Sequence, residues 1–87
     1  MKFYVKGMRS ESVKEAISLV NEFAQKKVED ESLSLDERLS WKLVYAFPVI
    51  AAVAVIAQTK EQCELIDTEL KKNGCGYAGS YQPCALQ

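Results

Sequence analysis

Apolar and polar positions along this chain change period from block to block, and the blocks predict its elements. In Lys2-Phe3-Tyr4-Val5-Lys6, Phe3 and Val5 alternate with Lys2, Tyr4 and Lys6. A period of two predicts a half-buried strand, here ended by Gly7. Its outer face is then basic and aromatic. From Ser12 to Lys27 the period lengthens. Val13, Ala16, Ile17, Val20, Phe23, Ala24 and Lys27 follow helical spacing, and Lys14, Ser18, Asn21, Glu22 and Gln25 fill the other side. Ser12 with Glu15 three residues on has the capping-box pattern. Residues 28–34 form a polar connection rich in acid and serine.

The run Leu43 to Ala57, LVYAFPVIAAVAVIA, has fifteen residues without a charge or a side-chain amide. A membrane-spanning helix needs about 20 such residues, so the run reads as core. Pro48 interrupts it and holds Phe47 out of helical geometry. Upstream, Ser34 and Glu37 repeat the capping pattern, and Leu35, Leu39 and Leu43 step by four, which predicts a core-facing helix over 35–46. Trp41, Leu43, Tyr45 and Phe47 also alternate, and aromatic residues favour strands. Downstream, Val49 to Ala57 predicts a central strand buried on both faces. The alanines at 51, 52 and 54 would let a helix approach the sheet. Thr59 with Gln62 opens a third helix, in which Cys63, Ile66 and Leu70 form one stripe with Leu65 beside it. Lys71 and Lys72 favour its dipole, and Asn73-Gly74 stops it. The tail over 75–87 predicts a short edge strand or an ordered loop.

These elements predict one small α+β domain over 1–87, a sheet of three to four strands covered by two or three helices. The order β-α-α-β-α-β is favoured. The ferredoxin-like order β-α-β-β-α-β is the alternative. It needs a hairpin near Phe47-Pro48-Val49, where no Gly, Asn or Asp is available. In order of elements the favoured layout is similar to the C-terminal domain of the ribosomal stalk protein and to the ClpS protease adaptors. The adaptor family reads an N-terminal amine with acidic residues after its first strand and a histidine on its second helix. Here Gly7-Met8-Arg9 follows the strand, and the chain has no histidine. No site carries over.

Eighty-seven residues bury roughly 60–65% of their unfolded surface, enough to fold alone with little margin, so dimerisation would add stability cheaply. A net charge of −1 provides no global field to recruit nucleic acid or an anionic membrane. Three cysteines and no apolar leader predict free thiols in a reducing, cytoplasmic setting.

Candidate chemistry is sparse. With no histidine the usual general base is missing, and Asp36, Glu37, Glu61, Glu64, Asp67 and Glu69 are expected in first turns or on outer helix faces. Cys63 is expected to be a buried structural thiol. Cys75 and Cys84 could pair under oxidation. Three scattered cysteines do not make a zinc site, and no cofactor is expected. The letters Gly74-x-Gly76-x-x-Gly79 follow a helix instead of opening one, so they are no dinucleotide loop. What remains is surface. Lys2, Tyr4 and Lys6 form a basic aromatic stripe that Tyr77 and Tyr81 can join, and tyrosine suits recognition surfaces.

The chain therefore reads as a non-enzymatic protein-interaction module, an adaptor or a small inhibitor of the kind phages and mobile elements encode. Its partner is expected to be another protein. A homodimer holding a small molecule at its interface is the alternative, and RNA binding on the sheet is the weaker one. Replacing Tyr77 and Tyr81 with alanine is expected to weaken partner capture without lowering the melting temperature. Undiminished capture in affinity purification would remove the tail from the binding surface.

Overall fold

A computed structural model describes residues 2–7, 10–49, 52–75 and 81–85, with side chains described within 13–49 and 52–75. The elements are β1 (Lys2–Gly7), α1 (Ser10–Val28), α2 (Leu35–Lys42), β2 (Tyr45–Val49), β3 (Ala52–Ala57), α3 (Lys60–Lys72) and β4 (Tyr81–Ala85). The class is α+β. The strands form one antiparallel sheet in the order β2-β3-β1-β4.

The segment over 35–47 contains both of the elements that competed for it. Its first half is helix and its second half is strand, so the favoured order lacks a strand and the alternative lacks a helix. Helix α2 ends at Leu43 (φ −91°, ψ 0°), ahead of the β-branched and aromatic residues that follow. Pro48 does not divide the apolar run. It lies inside β2, opposite Val53. An edge strand tolerates proline because an N–H facing solvent is no loss to the ladder. The pairing of Val49 with Ala52 moves the hairpin connection to residues 50–51, past the segment where turn residues were missing.

Helix α1 presents its expected stripe, with Ala16, Val20 and Ala24 buried. It starts at Ser10, so Ser12 lies inside the helix instead of capping it. The core joins those three residues to Ala46, Val53, Val55 and Ala57 of the sheet and to Cys63, Ile66 and Leu70 of α3. The helices pack over the valines of β3. Ala52 and Ala54, expected to face a helix, belong to the opposite face, and Ala51 lies outside the described residues.

Side chains lock the helices together. Trp41 of α2 is buried and meets Phe23 of α1 edge-on, with ring centroids 5.5 Å apart. The Lys27 ammonium sits 5.3 Å from the Phe23 centroid and 5.9 Å from that of Trp41, within cation–π range of both. Arg38 of α2 donates from Nε to the Val28 carbonyl at 2.7 Å, satisfying an end carbonyl of α1. Within the connection, Asp30 accepts the Ser32 N–H at 2.9 Å and its hydroxyl at 2.6 Å, and these bonds hold the Asp30 carboxyl below its ordinary range. Ser34 caps α2 by accepting the Glu37 N–H at 3.2 Å.

Gln62 ties α2 to α3. Thr59 accepts the Gln62 N–H at 3.1 Å, and Gln62 Oε1 accepts the N–H groups of Gln58 and Thr59 at 2.8 and 3.2 Å. This reciprocal capping box leaves the side-chain amide free to donate to Ser40 Oγ at 3.0 Å. The buried side chain thus satisfies the start of one helix and holds the end of another. Gln62→Ala strands these partners and is expected to cost about 1–3 kcal/mol, read as a lower urea midpoint at unchanged slope. Gln62→Glu keeps the acceptor and loses only the donor, so its midpoint is expected between the two. A wild-type midpoint for Gln62→Ala would show that the node carries no stability.

Candidate interaction surface

An antiparallel sheet puts directly paired residues on the same face. Register therefore sorts the apolar run. Ala46 pairs with Val55, and both lie in the core beneath the helices. Tyr45, Phe47 and Val49 pair with Ile56, Ala54 and Ala52 on the reverse face. The Tyr45 and Phe47 rings lie 5.6 Å apart, as neighbours two apart on one face must. None of these six residues joins the helix-covered core. Ala54 is nonetheless fully buried, and Ala52 nearly so. Tyr45 is 60% exposed and Val49 39%. Among the described residues this face carries no charge and no helix.

A second apolar surface lies on α2. Leu35, Leu39 and Leu43, whose spacing predicted a core-facing helix, are 67%, 50% and 61% exposed. Leu35 and Leu39 share a side of the helix by their four-residue step, and Leu43 follows at its C-cap. Trp41, on the other side, takes the core because it has more apolar area to bury. Leu65 is also half exposed, at the mouth of an open cleft between α2 and α3 with Glu37, Ser40 and Thr59. That cleft measures about 180 Å³, and another beside Trp41 and Val44 about 270 Å³. Both fall below the roughly 300–1,000 Å³ of sites that enclose a small molecule.

The residues read from the sequence as binding candidates are placed by backbone alone. Lys2, Tyr4 and Lys6 pair with Ala57, Val55 and Val53 on one side, and with Ala85, Pro83 and Tyr81 on the other. Register thus makes Lys6 and Tyr81 neighbours. By the rule of paired rows, Lys2, Tyr4 and Lys6 fall on the side of the sheet that Val53, Val55 and Ala57 share with the helices, not on the separate outer face that their alternation suggested. Tyr77 lies outside the described residues.

Asp67, expected on an outer helix face, is buried and pairs with Lys71 at 3.0 Å. The other carboxylates of α2 and α3 are wholly or partly exposed, and among the described residues no His, Cys, Asp or Glu cluster could hold a metal ion. Cys63 and Cys75 are buried. Cys75 is buried by the way α3 ends. Gly74 (φ 70°) donates to the Lys71 carbonyl at 3.1 Å, and the Cys75 N–H donates to the Leu70 carbonyl at 3.0 Å, a Schellman motif that folds the thiol against Leu70. The Cys84 side chain lies outside the described residues. No protein-family model, curated protein or solved structure matches the chain.

Burial, then the neighbouring Glu15 carboxylate and its hydrogen bond, raise the Cys75 thiol above its ordinary 9.0. A group raised on folding stabilises the protein fully below its unfolded value, and that contribution is lost as pH rises through the folded value. Stability is therefore expected to fall with pH above about 9, and less steeply in Cys75→Ala. Identical alkaline limbs in the two proteins would remove Cys75 as the cause. Peptide-resolved alkylation at pH 7.5 should leave Cys63 and Cys75 unmodified until the protein is denatured.

Proposed function

We propose that this protein is a non-enzymatic interaction module, an adaptor or inhibitor that works by occupying a partner's surface. The observation that carries the reading is the outward-facing leucine stripe of α2. Leu35 and Leu39 lie four residues apart on α2 and Leu43 follows at its C-cap, and such exposed apolar side chains on a helix are the form in which it seats in an apolar groove. Isolated exposed leucines are ordinary on any protein, whereas three within nine residues are the feature read here as a contact. The partner is then a protein with a concave apolar groove, and Leu65 and the α2–α3 cleft extend the contact. Tyr77 and Tyr81 remain proposed as a second contact from the tail. Buried cysteines suit a reducing, cytoplasmic setting.

The architecture supports a ferredoxin-like reading with one added helix. Strands β1 and β2 are parallel with β3 between them, β4 flanks β1, and α1 and α3 make the two crossovers. Helix α2 is then an insertion ahead of β2, and it carries the proposed contact.

The test is affinity purification with mass spectrometry, comparing wild type with Leu35→Ser/Leu39→Ser/Leu43→Ser. These side chains are exposed, so the variant is expected to keep its melting temperature and lose the proteins that wild type retains. An identical set of retained proteins would overturn the reading.

A further inference from the structure

We propose that Asn73 is a spontaneous deamidation site that the folded end of α3 holds closed. Its conversion to aspartate or isoaspartate then records local opening of that end and uncovers Cys75.

The residue pair supplies the reacting groups. Gly74 follows Asn73, and nothing lies within 4 Å of the point where a Cβ would stand on Gly74. Its backbone nitrogen is unshielded on that side. In the reaction this nitrogen attacks the side-chain carbonyl carbon of Asn73, Cγ, and the new N–Cγ bond closes a succinimide ring. The Cγ–Nδ2 bond breaks, and Nδ2 leaves as ammonia with the proton that the Gly74 nitrogen gave up. Water then adds to either ring carbonyl. Breaking the new N–Cγ bond yields aspartate. Breaking the original peptide bond yields isoaspartate, whose backbone runs through Cβ. Water is the co-reactant, both residues are exposed to it, and nothing is oxidised or reduced.

The folded geometry opposes ring closure. The Asn73 ψ of 8° sets the Gly74 nitrogen on the side of the Asn73 nitrogen, away from Cβ and the side-chain amide. Closure needs rotation about that bond. Yet the Gly74 N–H donates to the Lys71 carbonyl at 3.1 Å, and the Cys75 N–H beyond it donates to the Leu70 carbonyl at 3.0 Å. Rotation breaks both. The side-chain amide is held too, since Nδ2 donates to the Glu69 carbonyl at 2.8 Å and to Glu69 Oε2 at 3.2 Å. The reaction therefore waits for the last turn to open. Helix ends open at a fraction of the free energy of global unfolding.

Neither product restores the closed end. Aspartate replaces the Nδ2 donor with a second carboxylate beside Glu69, at the negative end of the helix dipole. Isoaspartate inserts Cβ into the backbone between groups that the cap must align. Cys75 depends on that cap, because its N–H bonds Leu70 and its thiol donates to the Asn73 carbonyl at 3.7 Å. Cys63, near the start of α3, does not.

The experiment ages the protein at neutral pH across a urea series, with peptide mapping of residue 73 and alkylation of the cysteines. Deamidation in buffer is expected to be at least about tenfold slower than in denaturing urea. Below the unfolding midpoint its rate is expected to rise less steeply with urea than the unfolded fraction, because only the last turn opens. Asn73→Asp stands in for the aspartate product. It is expected to alkylate at Cys75 in buffer while Cys63 stays protected until denaturation. Should that variant unfold, aged wild type separated by its added charge gives the same readout. Equal rates in buffer and urea would overturn the proposal, since the helix end would then give no protection. A rate that follows the globally unfolded fraction would overturn the local opening. A Cys75 as protected in the deamidated chain as in fresh wild type would overturn its uncovering.

Discussion

Everything in this fold follows from the need to cover β3. Its Val53, Val55 and Ala57 have no exposed surface, and α1 and α3 lie over that side with Ala16, Val20, Ile66 and Leu70. Two helices make one layer. A central strand that is apolar on both sides then has a second face that its own described helices do not reach. Ala52 and Ala54 are nonetheless buried there, whereas Tyr45 and Val49 stay exposed.

The helix layer holds its position through a few specific contacts. Trp41 wedges between α2 and Phe23 of α1, Arg38 closes the end of α1, and Gln62 joins the start of α3 to Ser40. The Arg38 and Gln62 hydrogen bonds also satisfy polar groups that packing partly buries. The arrangement explains why α2, only eight residues long, can be held with three leucines facing outward. Its attachment comes from Trp41, Arg38 and Ser40, which leaves the leucines exposed.

Much of this was legible in the sequence where periodicity and capping agree. The α1 stripe, the Thr59–Gln62 box and the Asn73-Gly74 stop all appear where their residues indicate. Two kinds of information were not legible. Periodicity tells which residues share a side of a helix, but not which side meets the core. The leucines of α2 therefore looked like core until Trp41 took that place. Proline marks a break in a helix and an edge in a sheet, and only pairing distinguishes the two at Pro48. The alternation of Tyr45, Phe47 and Val49 through the proline was the available signal for the open face. For Lys2, Tyr4, Lys6 and Tyr81 the structure contributes register alone.

The central claim is that β3 has one face closed by its own helices and one face that they leave bare. Methyl-resolved nuclear Overhauser spectroscopy tests it directly. The account predicts contacts from the Val53 and Val55 methyls to α1 and α3, and none from the Val49 and Ile56 methyls to any helix of the same chain. Intramolecular contacts from Val49 or Ile56 to α1, α2 or α3 would contradict it.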